Sequence, residues 1–123
     1  GAEFIITQLF FDNRHYFDFI GRARAAGIDL PIIPGIMPIT DLAQIKRFTQ
    51  LCGAEIPSSL LAELEAVDGN KDAVAEVGIR YGIKQCLELL QNGAPGIHFY
   101  TLNKSLSTRR ILESLRASLP SRE

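Results

Sequence analysis

Polar and apolar positions along the chain follow two different rhythms. Three short runs are apolar and rich in β-branched or aromatic residues: Phe4-Ile5-Ile6-Thr7-Gln8-Leu9-Phe10-Phe11-Asp12, Leu30-Pro31-Ile32-Ile33-Pro34-Gly35-Ile36-Met37 and Gly96-Ile97-His98-Phe99-Tyr100-Thr101-Leu102-Asn103. Runs of this length bounded by turn residues predict strands buried on both faces. Between them the apolar positions recur three and four apart, as on one face of a helix. Tyr16, Phe19, Ile20 and Ala23 predict a helix over 13–26, started by Asp12-Asn13 and closed by Gly27. Pro31 opens the second strand, and Pro34-Gly35 and Pro38 keep it short with a stiff exit.

Beyond that exit, Thr40 or Asp41 caps a helix carrying Leu42, Ile45, Phe48 and Leu51. Gly53 to Pro57 breaks the pattern, a short helix runs to about Val67, and Asp68-Gly69-Asn70 makes a turn. A long helix over 71–91 follows, with Val74, Val77, Tyr81, Ile83, Cys86, Leu87 and Leu90 as its apolar side. Gly78 and Gly82 lie one turn apart in it. Each weakens a helix by about 1 kcal/mol relative to Ala, so the pair predicts close packing against a neighbour. The third strand is expected over 96–101, and Ser105 caps a last helix carrying Leu106, Ile111, Leu112 and Leu115. Residues 117–123 form a polar tail, leaving 1–116 as one partial domain.

Three strands, each followed by a helical pattern, make a βαβαβα segment of the α/β class. A parallel strand with no element before it needs a neighbour, and a barrel of such units takes about eight strands. The chain is therefore expected to be the C-terminal piece of a larger α/β protein. Composition adds little: 46% hydrophobic and 22% charged residues are ordinary for a globular protein, and the formal charge is -1. Without a basic stripe or a membrane-length apolar run, neither a nucleic acid nor a membrane is an expected partner. Cys52 and Cys86 have no metal-ligand spacing and read as buried thiols of a cytoplasmic protein.

No GxGxxG, P-loop, CxxC or GxSxG occurs. The candidates are instead the strand-end residues Thr7, Gln8, Thr101, Leu102, Asn103 and Lys104, which would meet at one rim of a barrel. Gln8 comes first among them, because an amide both donates and accepts. A Gln, an Asn and a Lys at one mouth suit a polar ring system with an anionic tail; equally, they could cap helices and satisfy loop backbone. His98 reads as a packed strand residue and His15 as solvent-facing. Phe48 could stack on a flat ligand.

The three apolar runs, extended to Pro31-Ile32-Ile33-Pro34-Gly35-Ile36-Met37-Pro38-Ile39 and His98-Phe99-Tyr100-Thr101-Leu102-Asn103, resemble segments of methylenetetrahydrofolate reductase in order and spacing. The resemblance covers Ala2 to about Leu115. It implies the last three strands and helices of a (β/α)8 TIM barrel. It also implies an enzyme that binds FAD, takes a hydride from NADH or NADPH and reduces 5,10-methylenetetrahydrofolate to 5-methyltetrahydrofolate. By the same resemblance Gln8 meets the pterin, Gln44 contacts folate and Phe48 stacks on folate or nicotinamide. Ile6 and Leu102 line the pocket, Lys104 faces the folate tail, and Tyr16 and Phe19 lie near the pyridine nucleotide. The family's general-acid glutamate and most FAD-holding residues would lie outside this chain, so the isolated chain is expected to be inactive. A second expectation makes it a non-catalytic, barrel-completing subunit. Its partner would be the missing barrel part on another chain or a second copy of itself.

Overall fold

The computed structural model describes residues 3–100 and 106–118. Its strands β1 (Ile5–Leu9), β2 (Ile32–Ile36) and β3 (His98–Phe99) form one parallel sheet in the order β1-β2-β3. Helix α1 (Asn13–Ala25) connects the first two strands. Helices α2 (Leu42–Cys52), α3 (Ser58–Ala66) and α4 (Lys71–Gln91) connect the second to the third, and α5 (Leu106–Ser118) follows. The architecture is thus a parallel α/β one. Among the described residues no helix is long and apolar enough to cross a membrane.

Helix starts follow the expected chemistry. Asp12 accepts from the Arg14 N–H, Asp41 from that of Gln44 and Asn70 from that of Ala73, each a side-chain oxygen filling an orphan donor. The Asp41 cap resolves the choice left open with Thr40. Gly53 ends α2 at φ 70°, a left-handed conformation that a Cβ disfavours. The Ser105 cap expected for α5 lies outside the described residues, as does Thr101 at the end of the third strand. Helix α5 continues to Ser118, two residues into the stretch read as tail.

Several burial expectations change. β1 is not buried on both faces: Ile5, Thr7 and Leu9 are half-buried, whereas Ile6 and Gln8 are exposed. Ile6 and Gln8 share one side of β1, and both line an open cavity instead of packing into an apolar cluster. In α1, Phe19 is 43% exposed and Phe17 takes its place against the core beside Tyr16 and Ala23. Leu51, at the end of α2, is 82% exposed. On α4 the buried face is centred on Val74, Val77, Gly78, Ile79, Gly82, Gln85, Cys86 and Leu89, rotated from the apolar side read from the sequence.

That rotation is what the two glycines allow. A Cβ on Gly78 would overlap the carbonyl oxygen of Ile39, in the loop leaving β2, and one on Gly82 would lie 2.8 Å from Cδ1 of Ile111 on α5. Two apolar clusters result. One joins β2 to α1, α4 and α5 through Tyr16, Ile32, Ile36, Ile79, Leu89 and Ile111. The other joins the β2 exit to α2, α3 and α4 through Met37, Ile39, Ile45, Leu64 and Val77. Cys86 belongs to the first, and burial pushes its thiol up to about 12.

Two glycine-to-alanine changes should therefore have opposite signs. Gly21, exposed in α1 with nothing within 4 Å of its Cβ position, should gain about 0.5–1 kcal/mol on Gly21→Ala. Gly78→Ala should lose roughly 1–3 kcal/mol, because backbone and not a flexible side chain is in the way. Urea-denaturation midpoints of the two variants check this directly.

Candidate functional site

In a parallel sheet the carboxyl ends of all strands lie along one rim, where α/β proteins present ligand-binding groups. Here Leu9, Gly35 and His98 stand in one row, Ile36 and Phe99 in the next. Gln8 is therefore at the rim, on one of the two edge strands of the sheet.

The ladder between β1 and β2 is not regular. Ile6 pairs with Ile33, yet Leu9 pairs with Gly35, so β1 spends one more residue than β2 over the same span. In an unbroken register Gln8 would stand opposite Gly35. This is a bulge, and it lies opposite Pro34, which has no N–H to give to a neighbour. The Gly35 N–H donates to the Thr7 hydroxyl oxygen at 2.9 Å, and that hydroxyl donates to the Gln8 carbonyl at 2.9 Å. The Thr7 carbonyl accepts from the Tyr100 hydroxyl at 2.8 Å. Tyr100 reaches it by crossing Gly35, where a Cβ would overlap its ring.

Along β1 runs an open cavity of about 450 Å³. Ile6, Gln8, His15, Tyr16 and Phe19 contribute to its lining, and Gly53-Ala54 close one side. Tyr16 is itself 4% exposed, stacks on Phe10 with ring centroids 5.9 Å apart, and donates its hydroxyl to the Ile32 carbonyl at 2.6 Å. Phe19 is the large exposed aromatic on this wall. None of the described lining residues is Lys or Arg.

Gln44 and Phe48 lie one turn apart on α2 and are both half-buried. Neither lines the cavity along β1. Phe48 packs instead against the second apolar cluster, as do Leu9 and Tyr100. Leu102 and Lys104, with Thr101 and Asn103, lie outside the described residues. His98 is half-buried in β3 with its ring edge-on to Tyr100 at 4.7 Å, and His15 is exposed. Among the described residues no group of three or more His, Cys, Asp or Glu could hold a metal ion.

Sequence reasoning missed the polar clasp behind the rim. Gln85 on α4 donates from Nε2 to the Phe10 carbonyl at 3.0 Å, and the Tyr81 hydroxyl donates to that of Phe11. Asn13 answers from the loop side, its Nδ2 donating to the Gln85 carbonyl at 3.0 Å and to Glu88 Oε1 at 2.7 Å. The only signal was a glutamine on the helix face that carries both glycines. At the loop's end Asp12 caps α1, and its hydrogen bonds to the Arg14 guanidinium hold its carboxyl below the usual range.

With that geometry in view, residues 1–116 match the family model for methylenetetrahydrofolate reductase. A probable methylenetetrahydrofolate reductase (NADPH) of Caenorhabditis elegans is 47% identical over 94% of this chain and 18% of its own length. Methylenetetrahydrofolate reductase (NADH) 1 of Zea mays is 40% identical over 94% of this chain and 19% of its own. The 5,10-methylenetetrahydrofolate reductase of Salmonella typhimurium is 36% identical, over 94% and 39% respectively. The chain thus spans about a fifth of the first relatives and about two fifths of the bacterial one.

The Asp12 cap gives a test with a definite sign. Asp12→Ala should cost about 1 kcal/mol, and Asp12→Asn much less, because Asn caps as well as Asp. Since the folded carboxyl titrates below its unfolded value, its charge-dependent share is fully present above about pH 4, the unfolded value, and is lost as pH falls from there through the lower folded one. Denaturation of the wild type and Asp12→Asn should accordingly converge at low pH.

Proposed function

The chain belongs to the methylenetetrahydrofolate reductase family, and from that premise we propose that it supplies the folate-facing rim of a reductase barrel. In this reading it is the last three βα units of a (β/α)8 TIM barrel in a cytoplasmic enzyme. The enzyme reduces 5,10-methylenetetrahydrofolate to 5-methyltetrahydrofolate with NADH or NADPH as the reductant. The observation that carries the reading is Gln8: an exposed amide at the carboxyl end of β1, lining a cavity beside the exposed side chain of Ile6. A pterin edge alternates donors and acceptors, and a primary amide can satisfy one of each. Ile6 and Phe19 offer the apolar wall that a flat heterocycle needs.

Each remaining residue takes a part. Phe48 stacks on the folate or the nicotinamide, and Gln44, one turn before it, contacts the folate. Leu102 completes the apolar lining and Lys104 meets the carboxylates of the folate tail. Tyr16 and Phe19 border the nicotinamide. The described lining offers apolar surface to a ring system and holds no Lys or Arg. In the same reading FAD and the general-acid glutamate belong to the preceding part of the barrel. On its own the chain turns over nothing measurable.

The free edge of β1 supports the assembly half of the proposal. β1 is hydrogen-bonded only to β2 in this sheet, and Phe4 beside it is 49% exposed. An unpaired edge of this kind takes another strand. In the first reading the strand comes from the preceding barrel, on the same polypeptide. In the second the chain is a barrel-completing subunit, and the strand comes from a separate partner or a second copy. Light scattering of the natural product separates them, a full-length monomer supporting the first and a complex of short chains the second.

Gln8→Ala in the complete reductase tests the chemistry. It should weaken folate binding and slow the folate half-reaction about tenfold, the loss of one or two hydrogen bonds, while the NAD(P)H half-reaction stays within about twofold. Rapid-mixing measurement of the two half-reactions checks it, and unchanged folate kinetics would remove Gln8 from the site.

A further inference from the structure

We propose that Tyr100 is a positioning residue for Gln8, acting through the bulge in β1. The inference rests on the reading that Gln8 meets the folate, and adds what holds Gln8 in place. Three hydrogen bonds converge on Thr7, the residue before it. The Thr7 hydroxyl receives the Gly35 N–H at 2.9 Å, taking the place of a backbone acceptor, and passes its own hydrogen to the Gln8 carbonyl. The side chain thus occupies the ladder position that a carbonyl normally fills. That leaves the Thr7 carbonyl without a ladder partner, and the Tyr100 hydroxyl supplies one at 2.8 Å.

The parts come from all three strands or their ends. The slip in β1 lies opposite Pro34, between the Ile6–Ile33 and Leu9–Gly35 pairs. Gly35 leaves room for the Tyr100 ring to cross β2, since a Cβ there would overlap the ring and lie 2.6 Å from the Thr7 carbonyl oxygen. Tyr100 is fixed from its other side by its N–H, which donates to the Ile36 carbonyl at 2.7 Å, and by the edge-on ring of His98. The register slip puts Leu9 rather than Gln8 opposite Gly35, and Gln8 stays on the exposed side of β1 with Ile6, at the cavity. Bulges of this kind re-aim a side chain beside an active site. Removing the Tyr100 hydroxyl leaves a half-buried carbonyl unpaired at the residue before Gln8, and the bulge loses its reason to stay.

The test is a double-mutant cycle in the complete reductase, with 5,10-methylenetetrahydrofolate as the probe and the two half-reactions read separately. Tyr100→Phe keeps the ring and loses only the hydroxyl. It should slow the folate half-reaction roughly three- to tenfold and leave the NAD(P)H half-reaction within about twofold. In a Gln8→Ala background the same change should cost less than about twofold, because no amide is left to aim. Thr7→Val should behave like Tyr100→Phe, and carries the cycle if the tyrosine variant does not fold. Equal losses in both backgrounds, or no loss from either variant while Gln8→Ala slows the folate step, overturn the positioning role and leave the function standing. A Gln8→Ala enzyme with wild-type folate kinetics overturns the functional reading itself, and the positioning role with it.

Discussion

Helix α4 lies against the carbonyl of Ile39 with no side chain between them, and much of the rest follows from that approach. Gly78, Tyr81, Gly82 and Gln85 are three, four and seven apart, so they share one face. That face touches the β2 exit at Ile39, hydrogen-bonds the β1 exit at Phe10 and Phe11, and receives Ile111 of α5. One helix thereby sets the height of two strand exits relative to each other. Had residue 78 a side chain, α4 would stand farther out, and the bonds one and two turns along would lengthen together. A contact remote from Gln8 thus constrains the loop that begins two residues after it.

All three tyrosines of the chain do the same job. Tyr16 donates to the Ile32 carbonyl, Tyr81 to that of Phe11 and Tyr100 to that of Thr7. Each lends an aromatic body to a cluster and a hydroxyl to a carbonyl of β1, β2 or the loop between β1 and α1. Burial also raises the Tyr16 and Tyr81 hydroxyls above their ordinary pKa, so they remain donors across the neutral range. The rim keeps its shape because its spare acceptors are individually taken, not because the ladder is regular.

This explains what could be read in advance. Helix starts were legible because capping is local: Asp12, Asp41 and Asn70 each act within three residues. The glycine pair in α4 was legible as a packing signal, since nothing else rewards two glycines in a helix interior. Gln8 was legible as a candidate through its position at the end of a strand. The bulge was not, because it needs Gly35 and Tyr100, 27 and 92 positions away in the sequence. Nor was the choice of Phe17 over Phe19 for the core, as both fit a helical stripe and only the docked sheet decides. The one-sided burial of β1 was missed for a related reason: an apolar run shows what a strand could bury, and neighbours determine what it does bury.

The free edge and the cavity belong to the same strand, and they overlap, because the cavity is lined by every residue from Ile5 to Phe10. Edge hydrogen bonds point within the plane of a sheet, and side chains stand out of it. A strand added beside β1 would pair with its backbone and take up part of this cavity, while Ile6 and Gln8 remain the exposed side chains of β1. The bulge fits that geometry: it is anchored entirely from the β2 side, by Gly35 and Tyr100, and leaves the outer edge free for pairing. The aim of Gln8 is therefore set within this chain, whatever strand comes to lie on its other side.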